Sequence, residues 1–181
     1  MTAARGGLDP VALYEYLVKA RSPVFERARG LTLEQYTREF PFGLRSLRNT
    51  LVELPQAEWS YMRRLQGETQ PLPPWKERPF ARFYETEFAP LEGAWLEQGT
   101  ETRRTLEEID DWSRPLVYVA PGGPGEPTYR VRATTGGMAA QFVLHEVHHR
   151  AQAMAMLRHL GAPVEDLDYS YLTFAWEDLP A

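Results

Sequence analysis

Residues 138–160 read MAAQFVLHEVHHRAQAMAMLRHL. The stretch lacks proline and glycine and is closed by Gly161 and Pro163, the punctuation that ends a helix. On an ideal helix each residue turns about 100°, so residues four apart return to nearly the same face. With Met138 at zero, His145 falls at about 340°, His149 at about 20°, Gln152 at about 320° and Met156 at about 0°. His148, at about 280°, and Arg150, at about 120°, lie off that face. His145 and His149 therefore form an i, i+4 pair able to hold one metal ion through their ring nitrogens. Phe142, Leu144, Val147, Met154 and Leu157 spread around the remaining circumference, so the helix is expected to be buried. Two buried imidazoles need hydrogen-bond partners or a metal, and their spacing favours the metal. Gln152 shares the ligand face, either as a hydrogen-bond partner there or as a core amide bonded to a neighbouring helix. His148 and His159 read as solvent-facing bystanders.

The same segment spells H-E-x-x-H as His145-Glu146-Val147-His148-His149. In a zinc protease two such histidines bind the metal and the glutamate is the general base. That chemistry needs a third ligand downstream, and the extended pattern fails at Gln152 and Ala155.

Upstream, Val117–Val119 and Tyr129–Val131 have strand-like composition around the Gly/Pro-rich Ala120–Pro127, which predicts a small hairpin. Three more helical stretches precede it. One opens at Asp9-Pro10 and is expected to end or kink at Ser22-Pro23. One runs from about Pro41 to Gln66 on a Leu44, Leu47, Leu51, Leu54 stripe. One runs from Phe80 to about Asp111, after the proline-rich connector Gly67–Pro79. Thr32 and Gln35 make a capping box for a short turn between the first two. Four long helices predict an all-α single domain over residues 1–181, a four-helix bundle with a small β-hairpin before the last helix. The aromatic tail Tyr169–Trp176 is expected to dock on it.

Composition narrows the chemistry. The chain has 181 residues and no cysteine, so disulfides, thiolate metal sites and a cysteine nucleophile are excluded. Its four histidines all lie in the last helix. Twenty basic against 25 acidic residues give a net charge of −5, which argues against nucleic-acid binding. Arg63-Arg64 and Arg103-Arg104 are short pairs within acidic helices. Asp9 and Glu15 interrupt the N-terminal region where a signal peptide would be apolar, and no stretch is long enough for a membrane span. A cytoplasmic location without membrane contact is the expectation.

The string LHEVHHRAQAMAMLRHLGAP (residues 144–163) resembles the last helix of the DinB/YfiT-like superfamily, whose pattern is H-E-x-H-H-R-G-Q followed by a helix ending in G-x-P. Ala151 stands where that family usually has glycine. The hairpin and glycine before the helix match Val117–Gly137. A second-helix line of the type L-x-H-x-x-x-A-E is matched by Leu51–Glu58, with Trp59 following. The resemblance implies a four-helix bundle, usually a homodimer, whose metal is held by one second-helix histidine and two last-helix histidines. Carried onto this chain, the latter are His145 and His149, and the former position is Glu53. Two histidines and a carboxylate suit zinc or nickel, and also iron or manganese. Taken alone, Glu53 also reads as a surface glutamate paired with Arg48 or Arg63. Pro55 is expected to kink the helix just after it, either re-aiming Glu53 or marking a decayed site.

The resemblance further implies a metal-dependent enzyme acting on a small molecule, either transferring a low-molecular-weight thiol to an electrophile or hydrolysing its substrate. No residue is singled out as catalytic. The alternatives are a non-catalytic stress-response bundle with a structural or lost metal site and, behind it, an H-E-x-x-H protease. The family name records induction by DNA damage and does not imply DNA binding.

Overall fold

The computed structural model describes residues 9–123 and 125–179. The first eight residues, read above for a signal peptide, and Pro124 of the hairpin loop lie outside them.

Helix α1 (Pro10–Arg29) opens as expected: the Asp9 carboxylate accepts from the Val11 amide at 2.9 Å, and Pro10 sits in the first turn. It does not end at Pro23. A proline removes one donor, and the buried Ala20, Val24 and Phe25 on either side hold the helix together through packing. Helix α2 (Leu33–Thr37) carries the Thr32–Gln35 capping box.

Helix α3 (Leu47–Leu65) begins later than Pro41. Gly43 and Arg45 have φ of 57° and 70°, left-handed values that no helix accommodates, and the loop closes where the Phe40 amide donates to the Arg45 carbonyl. Ser46 then caps α3 through the Asn49 amide at 3.1 Å. The segment after the connector is not one helix either. Two 3₁₀ turns (Trp75–Glu77 and Ala81–Glu85) come first, and helix α4 spans Phe88–Glu107. Pro90 explains the break: in a helix continued from Phe80 its ring would collide with the Thr86 carbonyl, whereas the first turn tolerates it.

Strands β1 (Pro115–Ala120) and β2 (Tyr129–Thr134) form the expected antiparallel hairpin, in register from Pro115↔Thr134 to Ala120↔Tyr129. It feeds directly into helix α5 (Thr135–His159), capped by Thr134. The helix starts before Met138 because Gly136 lies against Trp112. Its amide donates to the Trp112 carbonyl at 2.8 Å, and a Cβ there would sit 2.8 Å from that oxygen.

The chain is mostly helical with this one small hairpin. Helix α3 packs against α5 and α4, and α1 packs against the same two. Leu17, Leu51, Leu91, Trp95, Met156 and Leu157 are completely or almost completely buried between them. The tail docks through short helix α6 (Tyr169–Thr173), where Tyr16 donates to the Leu167 carbonyl and stacks edge-on to Tyr169. Tyr171, Phe174 and Trp176 stay exposed. No helix among the described residues is long and apolar enough to cross a membrane.

Candidate metal centre

The packing of α3 against α5 brings Glu53 to His145 and His149. One ligand atom from each lies within 4.8 Å of the others. His145 Nε2 is 3.6 Å from Glu53 Oε1, and the two imidazole centroids are 4.5 Å apart. Zinc bonds of about 2.0–2.1 Å at the tetrahedral angle place ligand atoms about 3.4 Å apart, so the spacing fits a first-row divalent ion. Glu53 and His145 side chains are each 18 % exposed, leaving one side of the group open to solvent. Glu53 thus faces His145, and among the described residues it makes no ion pair with Arg48 or Arg63. Helix α3 runs unbroken through Pro55, because Leu51, Val52, Leu54 and Ala57 around it are buried.

Burial pushes the His149 imidazole below its ordinary pKa, with nearby His145 acting the same way, against the opposing pull of Gln152 and Glu53. The neutral form carries the lone pair that a metal needs. Gln152 does share this face: its Oε1 lies 3.0 Å from His149 Nδ1 and its Nε2 lies 2.9 Å from His148 Nε2. His148, expected to be a bystander, is therefore tied to the site. His159 is not, and packs on Phe40 and Phe42. Tyr61 meets His145 edge-on at 5.6 Å and accepts a hydrogen bond from Gln141.

The sequence profile of the DinB family matches residues 6–178. The chain belongs to the DinB family. No curated protein matches it. Within this DinB-family chain, Glu53 of α3 lies beside His145 and His149 of α5.

Glu146 does not join them. It turns about 100° from His145 into the interior, where it is 2 % exposed. There Arg21 donates from Nε to Glu146 Oε1 at 3.0 Å and from Nη2 to its other oxygen. Arg21 Nη2 also donates to Glu58 Oε2 at 2.8 Å, and Glu58 accepts from Trp95 Nε1 at 2.7 Å and from the Tyr14 hydroxyl at 3.2 Å. Arg150 lies 3.7 Å from Glu146 and donates to the Tyr16 hydroxyl. A carboxylate locked in this way is no general base, so the H-E-x-x-H protease assignment fails. Burial lifts the Glu58 carboxyl above its ordinary range against the pull of Arg21, while the two carboxylates hold Arg21 firmly charged.

The pairing of Arg150 with Glu146 follows from their i, i+4 spacing, but sequence reasoning missed Arg21 and Glu58, although both fall among the apolar residues of their helices. It also missed Gly43 and Tyr61. The i, i+3 and i, i+4 spacings of Gln152 from His149 and His148 were the available signal for the bridge.

Proposed function

We propose that this protein is a divalent-metal-dependent enzyme with Glu53, His145 and His149 as ligands, acting on a small molecule by thiol transfer or hydrolysis. The observation that carries the proposal is the convergence of those three donors, on a helix seam open to solvent on one side. The packing of each long helix against two of the others supports a four-helix bundle of DinB/YfiT type as the scaffold. A metal held there supplies a Lewis acid that lowers the pKa of a bound water or thiol. The protein's own part is to present two neutral imidazoles and one carboxylate. That set would leave one net positive charge on a divalent ion, enough to favour an anionic oxygen or sulfur of a substrate beside it. With no cysteine in the chain, the thiol must be a separate cosubstrate. Pairing of two copies, as the family resemblance implies, is part of the proposal and is tested by sedimentation.

The test is elemental analysis of protein purified without a histidine tag. Near-stoichiometric zinc, nickel, iron or manganese is expected, and it should vanish in His149→Ala. Less than ~0.1 metal per chain after incubation with each of these ions would overturn the assignment. For a loaded protein, chelator-sensitive turnover of thiol–electrophile pairs against hydrolysable esters and amides separates the two reaction classes.

A further inference from the structure

Both polar ends of Gln152 are engaged by imidazoles. Oε1 meets His149 Nδ1 at 3.0 Å, and Nε2 meets His148 Nε2 at 2.9 Å. A carbonyl oxygen only accepts, so His149 Nδ1 must carry the ring proton and its Nε2 keeps the lone pair. An amide NH₂ only donates, so His148 Nε2 must be bare, and neutral His148 carries its proton on Nδ1. The amide itself is wedged. A Cβ on residue 43 would come 3.0 Å from Gln152 Oε1, 3.2 Å from its Cδ and 3.3 Å from Met156 Cε. The backbone of Gly43, with φ of 57°, thus lies directly against the amide, and a Cβ there would have to push it aside by a few tenths of an ångström.

We propose that Gln152, held by Gly43 and His148, is a positioning residue that fixes the His149 tautomer and so leaves Nε2 as the bare nitrogen with which His149 can join Glu53 and His145 around a metal. The proton placement stands on the hydrogen bonds alone. Its consequence for metal affinity rests on the metal assignment made above. An imidazole free in water favours the proton on Nε2, the nitrogen the site needs bare. An unaided His149 would have to shift that proton before ligating, and outer hydrogen bonds that remove this cost are worth about 10–100-fold in metal affinity.

The experiment uses the full chain, metal-free, with ¹⁵N-labelled histidines, and reads each tautomer by long-range ¹H–¹⁵N NMR. In the wild type, His149 and His148 are both expected in the Nδ1–H form. In Gln152→Leu, His149 should revert to Nε2–H. In Gln152→Glu, whose oxygens only accept, His149 should stay Nδ1–H while His148 switches to Nε2–H. A role confined to filling space would leave both tautomers unmoved. Competition with a chelator for Zn²⁺ alone should then show Gln152→Leu weaker by about 10–100-fold and Gln152→Glu at or above wild-type affinity. An Nε2–H His149 in the wild type, an unchanged tautomer in Gln152→Leu, or a Gln152→Glu as weak as Gln152→Leu would each overturn the proposal. If Gln152→Leu fails to fold, the His148 switch in Gln152→Glu decides it. If the wild type binds no metal while the tautomers behave as stated, the metalloenzyme proposal falls and the positioning role stands.

Discussion

Helix α5 carries two i, i+4 pairs offset by one residue, and they live in opposite worlds. His145 and His149 face α3, partly exposed, with ring nitrogens that no described residue fully satisfies. Glu146 and Arg150 face the interior and are 2 % and 4 % exposed, bound to Arg21 and Tyr16. Helix α3 repeats the contrast with Glu53 in the first group and Glu58 in the second. Identical spacing produces an open pair of donors in one case and an internal brace in the other. What separates them is whether the protein supplies the partners. Buried charges that are paired and hydrogen-bonded hold a fold in one arrangement, while donors gathered and left open are available to something from outside.

The brace can be broken first. Arg21→Met leaves Glu58 and Glu146 facing each other in the interior, which should destabilise the metal-free protein by about 3–5 kcal/mol in urea unfolding. For a chain of this size each kcal/mol lowers the melting temperature by about 2–4 °C. Adding Glu58→Gln and Glu146→Gln should restore much of the loss, because the penalty comes from uncompensated charge. A loss below about 1 kcal/mol would mean that the interior does not depend on the cluster.

Glu53→Ala probes the other side and should invert the pattern. Metal-free stability should stay within about 0.5 kcal/mol, as for a substitution that opens no cavity and strands no charge. Zinc affinity should fall by more than the ~100-fold that loss of an outer hydrogen-bond partner brings. A marked loss of stability with unchanged zinc affinity would move Glu53 into the brace and break the comparison.

Much of this division was legible in the sequence. The His145–His149 face, the Thr32–Gln35 capping box and the hairpin before α5 follow from spacing and composition, and the structure contains each. The direction of Glu146 did not follow, because the H-E-x-x-H pattern records spacing and not which helix lies opposite. Only α1, distant in sequence, supplies the Arg21 that captures it. The prolines divide for a related reason. Pro23 and Pro55 read as an end or a kink, and α1 and α3 continue through them with buried neighbours on both sides, whereas Pro90 does set a helix start. The late start of α3 depends on left-handed backbone at Gly43 and Arg45, and an arginine there gives no sequence signal.

Gly43→Ala should act across the boundary between loop and site. Its φ of 57° imposes a cost of about 1–2 kcal/mol on any residue with a Cβ. The added methyl must also displace the Gln152 amide. The expected result is a stability loss smaller than that of Arg21→Met, accompanied by weaker zinc binding that Arg21→Met does not share at temperatures where both remain folded. Unchanged zinc affinity would show that the amide moves aside freely.

The smallest effect is in the pH dependence that His149 contributes. Burial holds the His149 imidazole below its ordinary value in the folded protein. As pH falls through the unfolded value of about 6.5, the unfolded chain binds a proton that the folded chain refuses, so metal-free stability should decline on acidification. Above that value both states are neutral and the dependence from this residue should vanish. Saturating zinc should move the decline to lower pH, because a ligated nitrogen cannot be protonated until the metal leaves. His149→Gln should flatten the profile in this window. Arg21→Met should instead lose less stability as pH falls, because the Glu58 carboxyl, already lifted by burial, loses the cation that opposes the lift and takes up a proton more readily in the folded protein than in the unfolded chain. A wild-type decline near pH 6 that survives His149→Gln would show that His149 is not the group that titrates there.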